Sequence, residues 1–464
     1  MVAWLDGQVT CCGRSTSLFY FLRFCVWCQR NHPDLTCPLD SRTPKFPIMQ
    51  TVSILGAGPA GFALAAGLQN HGNDVLVYGH PTHQRHANQV RRNGGRLQVS
   101  GRLEGTFPIG VTSSMAEAVA FSRILILTVP STGQETVLAE LRPFDLRQHI
   151  IVAIPGNLFS LIASAAGIEV GCIFETNLSP YSCRMDDEGD GGLTVMGQKE
   201  RVYIAPFFPS LASPSSSHGL HNNRRRSTTT TSRRLMTPEM YTTIASLFPT
   251  SQLRWCASIL EVCLANVNGI FHPLMMLLNA GRIENTNGDF YLYSDGLTPA
   301  VERAMCALDS VRMQIGEALG YRGMQTAVEV SNECYGQGFR GFVDLATGSA
   351  PHNRLRAPGG MENRNLSEDV PDLLVTWCGL AERLGVDAGP VRAVITMAEM
   401  VMGVDYFGSG RGLARLGLEG MDRGELVERF GVGGDKERDT PKEEEREREK
   451  VIVPVAMVAS SSRL

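Results

Sequence analysis

A histidine followed directly by a proline, in FHPLMMLLNAGRIE at 271–284, stands at the head of a run of apolar side chains. An imidazole, with an ordinary pKa near 6.5, can take or release a proton around neutral pH, so His272 is a candidate general acid or base. Pro273 has no N–H and suits a first helical turn or a kink. His272 is then expected where the helical bonding pattern is interrupted, free to project into a cleft. Asn266 and Asn268, just upstream in LANVNGIFHP, add polar groups to an apolar setting and are candidates for holding a substrate. Taken alone, an imidazole in such a place fits a hydrogen-bonded structural role better than a catalytic one.

A second chemical feature is GAGPAG at 56–61, with Gly56, Gly58 and Gly61 around Ala57. In a chain with 48 glycines such a pattern arises easily by chance, so its context decides. It follows the β-rich run TVSIL (51–55) and precedes FALAAGLQNHG, whose alanines and leucines favour helix. A glycine turn between strand and helix presents free helix amides to a pyrophosphate. Gly56 would permit the turn, Gly58 the close backbone approach and Gly61 the helix–strand contact. An NAD site usually carries an acid about 20 residues further on, at the end of the second strand. Here that place reads YGHPTHQR, where Gly79 and His80 offer no carboxylate, while Arg85 and the imidazoles of His80 and His83 could face a 2′-phosphate. NADP is therefore the expected cofactor, with NAD the alternative; solvent-facing loop residues would read the same way. Val129 and Pro130, closing RILILTVP, join Gly56, Ala57, Gly58, Gly61, His80 and Arg85 as candidate cofactor contacts.

These residues need elements to position them. TVSIL, DVLVYG (74–79), RILILTVP (123–130) and HIIVAIP (149–155) are apolar strands of the kind covered by helices on both faces, alternating with helical segments. The pattern predicts an N-terminal Rossmann-type, doubly wound parallel sheet domain. After about residue 250 the reading turns helical. PAVERAMCALDSVRMQIGEALG (299–320) opens on Pro299, stops at Gly320 and repeats Val301, Met305, Leu308, Val311, Ile315 and Leu319 at helical spacing. Met275, Met276, Met397, Met400 and Met402 read as core filling. An all-helical domain behind a nucleotide-binding one places the active site in the cleft between them.

The 464 residues, 43% hydrophobic and 19% charged, suffice for two or three domains. The expected division is an extension over 1–49, a dinucleotide-binding domain over 50–255, a helical substrate domain over 256–432 and a charged tail over 433–464. Within the first domain, 213–234 has five arginines, no acid and almost nothing apolar, so it is expected to be disordered, as are the extension and the tail. A net charge of −4 gives no reason to expect nucleic acid or a membrane surface as partner. No apolar run reaches the roughly 20 residues of a span, and SLFYFLRFCVW (17–27) carries Arg23, so a soluble, cytoplasmic protein is expected. Cys11, Cys12, Cys25, Cys28 and Cys37 include one C-x-x-C pair. Only His32 stands by to complete a ligand set, so no metal is expected.

The wider pattern changes the weight on His272. NVNGIFHPLMMLLNAGRIE, followed by DFYLYSDGLTPAV, ECYGQ and ENRNLSED, closely resembles the helical domain of the octopine/nopaline (opine) dehydrogenase family. The resemblance runs in order over roughly 51–430 and is strongest at 264–320. ETNLSPYSCR (175–184) is similar to the family's Glu-Thr segment near the domain junction, and RNGGRLQVSGRLEG to its hairpin region. The resemblance implies a helical domain of the 6-phosphogluconate-dehydrogenase C-terminal-like type. It also implies an enzyme that couples an amino acid to a 2-oxo acid and reduces the resulting imine with NADH or NADPH. It makes His272, from the Asn-x-x-x-His-Pro motif, the catalytic histidine. It makes Asp369 the residue that orients that histidine, and Arg364 the grip on the oxo acid.

These residue types suit that chemistry. Hydride arriving at an imine or carbonyl carbon leaves the heteroatom needing a proton or positive support, which an imidazole supplies. A carboxylate on its other nitrogen fixes the tautomer. An arginine can hold a carboxylate through two parallel hydrogen bonds. Without the resemblance, Arg364 and Asp369 read as an ordinary pair at a helix start. Two other readings stay open. A ketopantoate-reductase-like enzyme would reduce a 2-oxo acid without any amine; it would want a lysine in the helical domain, and none occurs between 200 and 435, with Lys199 only at the edge. A nucleotide-binding protein without turnover would not need His272, Arg364 and Asp369 together. The amino acid, the oxo acid and the oligomeric state, a homodimer included, are left open.

Overall fold

The computed structural model describes residues 2–5, 8–11, 49–186, 192–209 and 236–432. The insertion at 213–234, the tail from 433 and, apart from Cys11, the N-terminal cysteine cluster lie outside them. Residues 1–48 form a unit of their own, in which β1 (Val2–Leu5) pairs antiparallel with β2 (Gln8–Cys11). All that follows concerns the second unit, 49–464.

Its centre is an eight-stranded sheet. The strands β3 (Thr51–Leu55), β4 (Asp74–Tyr78), β7 (Gly110–Thr112), β8 (Ile124–Leu127), β9 (Leu146–Ala153) and β10 (Val170–Thr176) run parallel in the order β7-β4-β3-β8-β9-β10. β3 is buried along all but its first residue, as expected of a strand covered on both faces. After β3 the chain builds outward through β4 to β7 and then returns to lay β8 on the other side of β3. The strand order reverses there, and the crevice of a doubly wound sheet opens at such a reversal. At one edge this parallel sheet is extended by an antiparallel strand. β13 (Arg201–Phe207) joins β10 antiparallel, with β14 (Gln252–Trp255) parallel to β13, because a short turn and two further strands, β11 (Tyr181–Met185) and β12 (Leu193–Gln198), and not a helical crossover, connect β10 to β13.

A second sheet, in the order β11-β12-β5-β6, packs over the helix Pro59–Asn70. It contains the hairpin β5 (Arg96–Gly101) and β6 (Gly105–Pro108), joined by β12 (Leu193–Gln198) and β11 (Tyr181–Met185). Its inner residues, among them Leu97, Val99, Tyr181 and Val195, complete the core on that side.

Beyond Trp255 the fold is helical. The helix Pro299–Ala318 is capped by Thr298, whose side chain accepts from Val301 N–H, and the six apolar residues predicted for its inner face are all at most 6% exposed. The methionine expectation holds only in part. Met275 and Met276 are fully buried, but Met397 and Met400 are 39% and 74% exposed. On the helix Gly389–Met402 the inward stripe is Val391, Val394, Ile395 and Ala398, which turns Met397 and Met400 outward.

The start of the histidine-bearing helix also differs from expectation. It spans Asn268–Leu277, so Pro273 is interior, not a first-turn residue. The ring removes the bond that would reach the carbonyl of Gly269, and that glycine packs flat on Trp377, where an added Cβ would lie 2.8 Å from the indole. The stretch Ile259–Leu277 is long and apolar enough to cross a membrane, but 83% of it is buried inside the fold. It serves as the core against which the other helices pack.

Candidate active site

The glycine turn lies at the carboxyl end of β3. Gly56 has φ +139° and sits against Thr128, while an added Cβ on Gly61 would come within 1.9 Å of the carbonyl oxygen of Gly56. These two glycines are demanded by packing. At Gly58 an added Cβ would meet nothing within 4 Å, so the room above it is open. Gly58 is also the N-cap of the helix Pro59–Asn70, with no side chain capping it, and the first-turn amides of Ala60 and Gly61 have no helical carbonyl to bond. Open room over free helix amides fits the pyrophosphate of a nicotinamide dinucleotide.

A cavity of about 510 Å³ adjoins this turn. Gly58, Pro59, Ala60, Thr128, Val129 and Pro130 wall it from the dinucleotide-binding fold, and Asn268, His272, Tyr293, Arg364, Asn365 and Glu368 from the helical part. His272 Nδ1 lies 2.6 Å from Asp369 Oδ2. A carboxylate only accepts, so Nδ1 carries the proton in that bond and Nε2 is the nitrogen left for a substrate. Asp369 is 5% exposed, which shields the pair from water on that side. It stands just before a widened turn, Val370–Leu374, with Pro371 in it, and this local geometry sets where the carboxylate points.

Arg364 opens the short helix Arg364–Ser367, is mostly exposed, and pairs at 3.0 Å with Glu368. Sequence reasoning did not single out Glu368. It is buried, and its other oxygen accepts from Ser131 N–H at 3.1 Å, so one carboxylate links the cavity arginine to the segment after β8. Arg411 is a second such link. Its guanidinium lies 3.1 Å from Asp372, donates to Gln134 at 2.7 Å and bonds the carbonyls of Ser131 and Asn157. Burial pushes Asp372 up to about 6 despite that arginine. Glu368 sits inside ENRNLSED and Arg411 in none of the quoted motifs, and the role of each is recognisable only by its partners.

The two asparagines separate. Asn268 lines the cavity. Asn266 does not: it is 1% exposed, donates to Asn157 Oδ1 at 2.8 Å and accepts from Asn268 N–H, so its amide is used in joining two chain segments. Glu175, in the segment likened to the family's Glu-Thr motif, is likewise structural in its contacts. It is fully buried and accepts from the N–H groups of Leu158 and Ser160 at the start of the helix Phe159–Ala165. Of the residues after it, Leu178, Ser179, Tyr181, Ser182 and Cys183 do reach the cavity.

His80 and Arg85 follow the carboxyl end of β4, outside the cavity, where the adenosine ribose of a dinucleotide lies in such folds. The absence of an acid there in the sequence is only half of the picture. Glu140, from the helix Ser131–Leu141, accepts from Tyr78 Oη at 2.6 Å and lies 3.5 Å from His80 Nε2. Ala57 and Gly61 support the turn from below; Gly58, Val129 and Pro130 face the cavity.

His352 was not singled out either. It lines the cavity, stacks edge-on to Tyr293 and Tyr335, and shares a hydrogen bond with Ser349 Oγ at 2.7 Å. Burial, aided by Lys199 and His272, lowers its pKa to about 4, so it is a neutral imidazole at neutral pH. Lys199 itself lies in the cavity wall and is 6% exposed. Along the sequence it stands only at the edge of the helical part.

Residues 255–402 match the family model described as the alpha-helical domain of NAD/NADP octopine/nopaline dehydrogenase, and residues 51–155 the model of an NADP oxidoreductase, coenzyme F420-dependent. Among curated proteins, vitopine synthase of Allorhizobium ampelinum is 26% identical over 386 residues, covering 82% of this chain and 99% of that protein. Opine dehydrogenase of an Arthrobacter species is 26% identical over 378 residues, covering 80% and 96%. Among solved structures, octopine dehydrogenase with NADH and L-arginine superposes with a TM-score of 0.61 at 17% identity, over 84% of this chain and all of that one.

Proposed function

Because the chain belongs to the octopine/nopaline (opine) dehydrogenase family, we propose that it condenses an amino acid with a 2-oxo acid and reduces the product with NAD(P)H, at the cavity where His272 and Asp369 meet the glycine turn. The amine nitrogen forms a bond to the oxo carbon, the oxo oxygen leaves as water, and the C=N bond is reduced to a secondary amine carrying both carboxylates. The reduced nicotinamide, when bound, supplies the hydride. His272 Nε2 takes the proton that the substrate ammonium must lose before it can attack, and returns it to the departing hydroxyl. Asp369 holds Nδ1 and stabilises the imidazolium between those two transfers. Arg364, with its guanidinium set by Glu368, receives the oxo-acid carboxylate. In this reading 50–255 carries the nucleotide, and 256–432 the acid/base histidine and the oxo-acid arginine.

The observation that carries the proposal is the 2.6 Å His272–Asp369 bond in the wall of a cavity that also reaches Gly58. It is tested by following NADPH consumption with a panel of 2-oxo acids, each with and without amino acids, and identifying product by mass. Consumption is expected only when both substrates are present, with a dicarboxylate secondary amine formed. Equal rates of oxo-acid reduction with and without any amine would assign the site to a simple 2-oxo-acid reductase.

NADPH is the proposed cofactor. Arg85, exposed at the start of the helix Arg85–Arg92 just beyond β4, is the cation we assign to a 2′-phosphate, while Glu140 lies against His80. NADPH should bind more tightly than NADH by calorimetry. Arg85→Ala should narrow the difference by roughly tenfold or more, the worth of a charge-assisted hydrogen bond, and His80→Ala should change it little. Tighter binding of NADH by the unaltered protein would reverse the assignment.

A further inference from the structure

Lys199 is the unusual group in the cavity wall. It is 6% exposed, and its ammonium has neither a hydrogen bond nor an ion pair among the described residues; it lies 5.1 Å from the centre of the Tyr335 ring. An ammonium held out of water without an anion is costly unless something supplies one. Its backbone is fixed on both sides: Lys199 N–H donates to Pro180 O at 2.8 Å, Ser251 Oγ donates to Lys199 O at 2.6 Å, and Glu200 N–H donates to Cys334 O at 2.7 Å. The turn between β12 and β13 is thus pinned and directs this side chain into the cavity. Lys199 and Arg364 both act on the thiol of Cys183, so the two cations share one stretch of wall. The carboxylate of Glu368, which also reaches the cavity, is engaged by Arg364 and Ser131. The remaining wall near Lys199 is apolar or neutral, with Met196, Tyr335, Pro351 and Leu355.

We propose that Lys199 binds the α-carboxylate of the amino-acid substrate and that the enzyme therefore selects amino acids with uncharged side chains over arginine and lysine. The inference rests on the condensation reading above, whose product carries two carboxylates; Arg364 takes one and Lys199 the other. An ammonium beside the bound amino acid repels a second cation. The wall offers that cation no free carboxylate, while an uncharged side chain meets Met196, Leu355 and the tyrosine rings.

The test compares the unaltered enzyme with Lys199→Met, Lys199→Gln and Lys199→Arg, with thermal midpoints to confirm folding. KM is measured for the amino acid, the oxo acid and NADPH separately, with glutamine, methionine, alanine, arginine and lysine as amines. The unaltered enzyme should favour an uncharged amine over arginine at least tenfold in kcat/KM. Lys199→Met should raise KM for the favoured amine roughly ten- to a hundredfold. KM for the oxo acid should stay within about twofold, and Lys199→Arg should recover most of the loss. Lys199→Gln serves the same purpose if Lys199→Met does not fold. Several outcomes would overturn the assignment: an unchanged amine KM in a folded uncharged variant, a rise confined to the oxo acid, or a preference of the unaltered enzyme for arginine. Turnover that ignores every amine would instead remove the condensation reading, and this inference with it.

Discussion

Replacing His272 with alanine is expected to lower turnover by roughly a hundred- to ten-thousandfold, the range that a positioned acid/base contributes, while NADPH binding changes less than about twofold. The separation follows from geometry. In the proposed function the nucleotide binds at the glycine turn at the end of β3, whereas His272 comes from the helix Asn268–Leu277 and would present Nε2 to the substrate. Asp369→Asn should give an intermediate loss. An asparagine carbonyl can still accept from Nδ1, but it brings no charge to the imidazolium. A His272→Ala variant that keeps more than a tenth of the original turnover would move the proton transfer to another group.

Gly58→Leu should fold normally and lose the cofactor. An added Cβ at this position meets no protein atom within 4 Å, so the thermal midpoint should remain within a degree or two. The side chain would fill the room over the helix amides that the proposed function gives to the pyrophosphate, and the dissociation constant for NADPH should rise by about a hundredfold or more. Gly61→Ala is the contrasting case. Its Cβ would stand 1.9 Å from the Gly56 carbonyl oxygen, so it should cost stability, by about 1–3 kcal/mol or more, before it costs affinity. Calorimetry and thermal unfolding on the two variants separate the effects. Unchanged NADPH affinity in a folded Gly58→Leu protein would place the nucleotide elsewhere.

The amino-acid sequence by itself determined whatever depends on neighbours along the chain. The strand–glycine–helix order of 51–70 and the buried stripe of the helix Pro299–Ala318 follow from local periodicity and turn chemistry, while the family resemblance of its motif singled out His272 as catalytic. Pairings across the chain were decided only by the tertiary structure. Asp369 meets His272 across 97 residues; the resemblance named it, but no spacing rule could. Glu140, 62 residues beyond Tyr78, reaches the end of β4 from another helix, a pairing that no reading along one strand could place. The outward turn of Met397 and Met400 was set by which face of their helix met the core, and the helix that holds Pro273 inside it packs its Gly269 on a distant indole. Lys199 changed its meaning most. In sequence it is a lysine beside a strand end, and in the fold it is a buried cation aimed into the cavity. Periodicity reports which side of an element is apolar, but which side chains converge depends on how the elements cross, and that is settled by packing the whole core at once.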